Sequence, residues 1–353
     1  MITEMGSCTM ASLFLLRFLR RLKSDLLKPP MVVLMLLLGM GSAAAVQLPA
    51  DLTGPLDEEI SHRFAGDTAL AEAGFATSCD KGGLADCHFL AVMHHGVSGR
   101  VSDLPQVRRN YRRACDAGLT RSCHGLALTF LDNGRGRKPN PDKAARMLAR
   151  ICDAGDMPAC VSLSLAYEIG DGVPVDKGIA ATLLLRACNG GHLESCTFAA
   201  YLYLDGDGVD RNPDRALVLM ESACNRGRML DCHGLALIFA TGEDGIGADP
   251  VQSMNYFRLA CDGGYLSACH SLGVLQRDGE FGVKIDYVSA MGYLRKACTG
   301  EQERACSSLG QMFENGQGVP EDRPQALALY RLDCDRTQNC YDFNRLQHKM
   351  ARR

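Results

Sequence analysis

The chain has 353 residues, a formal net charge of −3, no tryptophan and only 6% aromatic residues. A slight acidic excess speaks against a nucleic-acid partner, which calls for a clustered basic face. Scarce aromatics leave little material for aromatic cages or base-stacking platforms.

The N-terminal segment is built for export. Arg17, Arg20, Arg21, Lys23 and Lys28 precede an apolar run at 31–40, MVVLMLLLGM, and small residues follow through Ala45. A basic stretch, a short apolar stretch and an A-x-A site form the signal-peptide pattern. The apolar run falls short of the roughly 20 residues that span a bilayer. We therefore expect residues 1–45 to be a signal peptide and 46–353 to be the working chain, with no stable membrane span after cleavage. Cleavage removes Cys8, and no cysteine follows the site for a lipid anchor. Residues 11–23, ASLFLLRFLRRLK, are Arg-rich and amphipathic, which also suits a mitochondrial presequence.

The remaining sixteen cysteines fall into eight close pairs. Seven are Cys-x₇-Cys: Cys79 with Cys87, Cys115 with Cys123, Cys152 with Cys160, Cys188 with Cys196, Cys224 with Cys232, Cys261 with Cys269, and Cys298 with Cys306. The eighth, Cys334 with Cys340, is two residues shorter. First cysteines recur every 36 or 37 residues, a period that marks a repeat architecture. Even pairing points to an oxidising compartment.

Within a repeat, apolar residues ahead of the first cysteine recur at helical spacing, as in Leu217, Leu219, Met220 and Ala223 before Cys224. A glycine three residues past the cysteine (Gly118, Gly155, Gly191, Gly227, Gly264) fits a helix C-terminus. A second helix follows, with Leu235, Ala236, Ile238 and Phe239 as its apolar stripe. Glycine-rich loops (Gly170-Asp171-Gly172-Val173, Gly206-Asp207-Gly208-Val209, Gly316-Gln317-Gly318-Val319) separate the repeats. Asn140-Pro141, Asn212-Pro213 and Asp249-Pro250 place an N-cap and an N1 proline at the next helix start. No sustained period-two alternation appears, so the fold class is all-α.

Two cysteines eight residues apart on one continuous helix would be separated by about 12 Å along its axis. Bridged Cα atoms sit at most about 7 Å apart. A disulfide therefore demands a turn between them, where the glycine lies. Each closed loop contributes about 2–3 kcal/mol on the chain-entropy view. Metal binding and redox-active thiols are the alternatives for such pairs. Histidine follows the second cysteine four times (His88, His124, His233, His270), but a structural zinc site wants four ligands and each pair offers two. Val161, Thr197, Ser307 and Tyr341 take the same place elsewhere. No metal or cofactor is expected.

The A-C-x-x-G-x₃-[AS]-C signature, the G-x-G-V loop and the repeat step resemble Sel1-like repeats, which are TPR-like. The chain is especially similar to the secreted cysteine-rich Sel1-repeat proteins of Helicobacter. The likeness covers about residues 57–345. It implies an α/α superhelical solenoid of about eight repeats, each crosslinked as argued above. Members of that group have been linked to penicillin binding and β-lactam hydrolysis. Here only Ser78-Cys79-Asp80-Lys81 matches S-x-x-K, and the S-D-N and K-T-G elements are missing. No catalytic residue is assigned.

The adjacent His94-His95 and the shifted loop at 96–104 belong to an atypical first repeat, as capping repeats are. The basic tail (Arg345, Lys349, Arg352, Arg353) reads as a polar end cap. The expected function is an exported, non-catalytic scaffold binding a protein or peptide on its concave, first-helix surface. Weak penicillin-binding or β-lactamase-type activity is the alternative. The expected location is periplasmic or secreted, or, by the presequence reading, the mitochondrial intermembrane space.

Overall fold

A computed structural model describes residues 59–64, 66–97, 104–131, 139–242 and 245–352. The expected signal peptide, Cys8 and most of the loop at 96–104 lie outside these residues. Helices dominate, and no strand occurs among the described residues.

Among the described residues, a helical stretch at 59–64 precedes sixteen α-helices in eight antiparallel pairs, as the cysteine pairing requires. The first compact unit runs to Phe198 and the second from Ala199. Pairs in the first unit are α1 (Thr68–Asp80) with α2 (Leu84–Val92), α3 (Leu104–Asp116) with α4 (Thr120–Leu128), and α5 (Pro141–Asp153) with α6 (Met157–Ile169). Then come α7 (Lys177–Asn189) and α8 (Leu193–Asp205), the latter containing the boundary between units. The second unit continues with α9 (Pro213–Asn225), α10 (Met229–Thr241), α11 (Pro250–Asp262), α12 (Leu266–Asp278), α13 (Tyr287–Thr299) and α14 (Ala305–Asn315). It closes with α15 (Arg323–Thr337) and α16 (Tyr341–Ala351).

Starts and stops follow local chemistry. Asn140, Asn212 and Asp249 accept hydrogen bonds from the backbone N–H groups of Lys143, Arg215 and Gln252, as their sequence context predicts. Asp176, Asp286 and Asp322 do the same without a proline immediately after them. Each such cap satisfies a donor that the first helical turn leaves open. Between the α-helices of a pair, Gly82, Gly118, Gly155, Gly191, Gly227 and Gly264 hold φ between 91° and 105°. That is left-handed backbone, where a side chain is strained. The second glycine of an inter-repeat loop serves packing as well. A Cβ on Gly172 would collide with the carbonyl group of Pro141, the first residue of α5.

The core repeats a two-residue theme. Counting back from the first cysteine, the eighth residue is small or branched and the fourth is large. In the first unit these are Ala71/Phe75, Val107/Tyr111, Ala144/Leu148 and Ala180/Leu184. In the second unit they are Ala216/Met220, Ser253/Phe257, Ala290/Leu294 and Ala326/Tyr330. All are buried. Burying a large apolar side chain of this kind contributes about 1.5–3 kcal/mol.

Candidate binding faces of the helical hairpins

All sixteen cysteines singled out in the sequence are joined in the expected pairs. In the first unit Cys79 is bonded to Cys87, Cys115 to Cys123, Cys152 to Cys160, and Cys188 to Cys196. In the second unit Cys224 is bonded to Cys232, Cys261 to Cys269, Cys298 to Cys306, and Cys334 to Cys340. Their Cα–Cα distances lie between 4.5 and 4.8 Å, which only a turn between the two helices allows. The bridges tie the end of each first helix to the start of its partner. Cys87, Cys196, Cys232 and Cys269 are fully buried, so these second cysteines also serve as core residues. Cys123 is only partly buried and packs against the core around Leu148. The sulfurs are bonded to each other and supply no thiolate. Among the described residues, no three His, Cys, Asp or Glu side chains gather as a metal-binding group.

The four histidines that follow second cysteines face the next repeat instead. His88 Nδ1 lies 3.0 Å from Ser122 Oγ, His124 Nε2 2.8 Å from Ser162 Oγ, and His270 Nε2 2.9 Å from Ser308 Oγ. His233 Nε2 and Ser271 Oγ are 3.4 Å apart. These contacts form a hydrogen-bonded ladder between neighbouring second helices. Burial pushes the His233 and His270 imidazoles down to about 4, so they are neutral at physiological pH.

A second ladder joins the first helices. Two residues before the first cysteine, a basic side chain reaches back to the C-terminus of the preceding first helix. Arg113 donates to the Cys79 carbonyl at 2.8 Å, Lys296 to the Cys261 carbonyl at 2.9 Å, and Arg186 to the Asp153 carboxylate at 2.8 Å. In the last repeat Arg336, two residues after Cys334, donates to the Cys298 carbonyl at 2.8 Å. A cation there complements the negative end of the helix dipole and satisfies an open carbonyl.

The S-x-x-K match is used structurally. Cys79 is bridged to Cys87, and the Ser78 hydroxyl hydrogen-bonds the Asp86 carboxylate, which also pairs with Arg63. The terminal features are structural as well. His94 pairs with Glu72 at 2.9 Å, and the buried His95 ring meets Tyr111 edge-on at 5.8 Å. In the tail, Arg345 and Lys349 reach inward rather than into solvent. Arg345 grips the buried Glu314 carboxylate at 2.6 and 2.9 Å, Lys349 approaches it to 3.5 Å, and the Tyr330 hydroxyl donates to it at 2.9 Å. These bonds, Arg345 foremost, hold the Glu314 carboxyl down at about 2.

Exposed positions on the first helices are the variable part. They lie nine, six and two residues before the first cysteine. In the second unit they include apolar Val218, Leu259 and Leu332, exposed by 62%, 44% and 38%. In the first unit the same places include exposed apolar Leu70 and Ile179 but also six exposed cations: Arg109 and Arg113, then Lys143, Arg146 and Arg150, then Arg186. The low net charge of the chain conceals this: the fold collects cations on one set of faces. One aromatic ring marks where two of these helices meet, since Arg108 of α3 and Lys143 of α5 each lie 4.3 Å from the Phe130 ring.

Known proteins agree with this architecture. Six stretches match the Sel1 repeat, at 120–156, 158–192, 193–227, 231–265, 266–300 and 304–332. Cytochrome c oxidase assembly factor 7 of Homo sapiens is 36% identical over 122 residues, 32% of this chain and 52% of the human protein. Cytochrome c oxidase assembly factor 7A of Xenopus laevis is 31% identical over 112 residues, 30% of this chain and 48% of the frog protein. The chain thus spans about half the length of the curated relatives it matches. A solved structure, a protective antigen of uropathogenic Escherichia coli with an SLR fold, superposes with a TM-score of 0.55 and 21% identity. That likeness covers 87% of this chain and 64% of the antigen, and it shows the fold, an α/α solenoid. With the repeat matched over more than half its length, this chain belongs to the Sel1 repeat family.

Proposed function

We propose that this protein is a non-catalytic scaffold, exported to an oxidising compartment, that holds a protein or peptide against its first-helix faces. One observation carries the reading. The buried positions repeat the same small-and-large theme through eight hairpins, while the exposed first-helix positions run from valine and leucine to arginine. Packing does not dictate those exposed residues, so they are free to encode recognition. The disulfides fix each hairpin in advance, which lowers the ordering cost of binding.

The relatives' names point to assembly of a cytochrome c oxidase, and we take an assembly role as the best context for that partner. An intermembrane-space location fits those relatives, and a periplasmic or secreted one fits the N-terminal export pattern. Both are oxidising enough to keep disulfides closed. Non-reducing mass spectrometry of the exported chain tests this placement: eight bridges are expected, and several free thiols would count against it.

The binding reading is tested by photo-crosslinking in the native compartment. A crosslinking residue at Thr182 of α7 or Ala328 of α15, both exposed on first helices, should capture one defined protein. The same residue at Leu237 on the second helix α10 should not. Equal capture from all three positions, or none from the first helices, would overturn the reading.

A further inference from the structure

We propose that the first-helix face of the first unit binds an acidic, extended protein segment, using Arg109, Arg113, Lys143, Arg146, Arg150 and Arg186. This rests on the scaffold reading above and adds the chemistry of the partner.

Arg109 and Arg113 are four apart on α3, and Arg146 and Arg150 are four apart on α5, so each pair shares one helix face. In both helices they stand six and two residues before the first cysteine, which puts the two pairs in register. Lys143 lies one turn further back on the same side of α5, and Arg186 occupies the matching place on α7. All six are exposed.

The helices that carry them are neighbours. Arg108 and Lys143 meet over the Phe130 ring, which brings α3 beside α5, and Arg186 bonds Asp153 at the end of α5. Like charges this close repel unless an anion lies between them. Arg113 and Arg186 have acidic partners in Asp80 and Asp153, but among the described residues Arg109, Arg146 and Arg150 have no carboxylate within pairing distance. Three unpaired guanidinium groups on adjacent helices make this face cationic, although the net charge of the chain is −3.

Guanidinium groups match carboxylates in planar, two-pronged geometry. The Phe130 ring beside these cations is buried and already engaged by Arg108 and Lys143, so it offers no open stacking platform. Single-stranded nucleic acid is gripped by aromatic stacking as well as charge, so a carboxylate-rich polypeptide fits better. Three helices at about 10 Å spacing present a strip that an extended segment of about six residues crosses.

The test measures fluorescence anisotropy of a labelled Glu/Ala peptide of about ten residues against the full mature chain. The probes beside it are a Gln/Ala peptide, oligothymidylate and phosphatidylserine vesicles. The Glu peptide should bind, more weakly as salt rises, and the Gln peptide should bind about tenfold less tightly. The triple variant R109A/R146A/R150A, which touches no cap or core contact, should lose about tenfold in affinity for the Glu peptide. A circular-dichroism spectrum matching wild type shows that the variant is folded, and the salt dependence of wild type is an independent readout. No binding of the Glu peptide, equal binding of the Gln peptide, an unaffected triple variant, or tighter binding of oligothymidylate or vesicles overturns the proposal. Failure of the scaffold reading looks different: first-helix crosslinkers then capture no defined protein at all.

Discussion

His270 Nε2 lies 2.9 Å from Ser308 Oγ, thirty-eight residues further along the chain. The contact exists only because one repeat is stacked on the next in a fixed register. The same stacking buries the ring, and burial, with Arg277 and Arg304 nearby, makes it resist protonation.

Acid should therefore weaken the fold through the second-helix ladder. His233 and His270 titrate near 4 when folded and near 6.5 when unfolded. The unfolded chain binds the proton first, so stability is complete above 6.5 and falls as the pH drops from 6.5 to about 4. Each ring contributes a loss on the order of 1–3 kcal/mol across that window. Urea unfolding at pH 7 and pH 4.5 should show the drop, and His233→Gln with His270→Gln should flatten it. An unchanged slope in the double variant would mean other groups govern the acid limb.

The first-helix ladder predicts a different loss. Arg336 caps α13 through the Cys298 carbonyl and also approaches Cys306 Sγ at 3.5 Å. Arg336→Ala should cost about 1 kcal/mol, and Arg336→Lys less than half of that, because a single ammonium can still meet the carbonyl. Lys296→Ala, whose side chain is 44% exposed, should cost about 0.5 kcal/mol. Chemical denaturation at neutral pH distinguishes the three.

Much of this fold is legible in the sequence because its determinants are local. Cys152 and Cys160 are eight residues apart, Gly155 turns the chain between them, and Asn140-Pro141 starts the helix. What the sequence conceals is register between repeats. Nothing in the neighbourhood of His124 announces Ser162, and nothing near Arg345 announces Glu314. The basic face is hidden for the same reason: Arg109 and Arg146 are far apart in the chain, and only the stacking of repeats brings α3 beside α5.

Two hairpins depart from the glycine rule, the last one with Gln338 at φ of 60°, and for the other the sign of the effect can be predicted. Glu301 stands where Gly264 and its counterparts stand, with φ of 66°. Glu301→Gly should stabilise the chain by about 0.5–1 kcal/mol, less the weak exposed contact to Arg336 at 3.5 Å. Gly264→Ala, at φ of 91° with open space around it, should destabilise by about 1 kcal/mol through backbone strain alone. Thermal melts of the two variants should move in opposite directions; shifts of the same sign would show that the left-handed residue is not the controlling factor.

The last helix is held by charge as well as by the apolar contacts of Phe343, Leu346 and Met350. Leu346 is the one residue of α16 that is fully buried, whereas Arg345 and Lys349 both converge on Glu314 of α14. Glu314→Gln keeps the side-chain shape but removes the charge that both cations answer. Breaking a mostly buried pair with one partly exposed partner should cost about 2 kcal/mol. The pH signature separates this from the histidine ladder. Glu314 titrates near 2 when folded, against 4.5 unfolded, so its contribution is complete above 4.5 and disappears as the pH falls toward 2. Hydrogen exchange at pH 5 should show α16 protected in wild type and fast-exchanging in Glu314→Gln, with α9 to α12 unchanged. Equal protection in the two proteins would mean that the Cys334–Cys340 bridge and the apolar contacts of Phe343, Leu346 and Met350 hold the terminal helix in place.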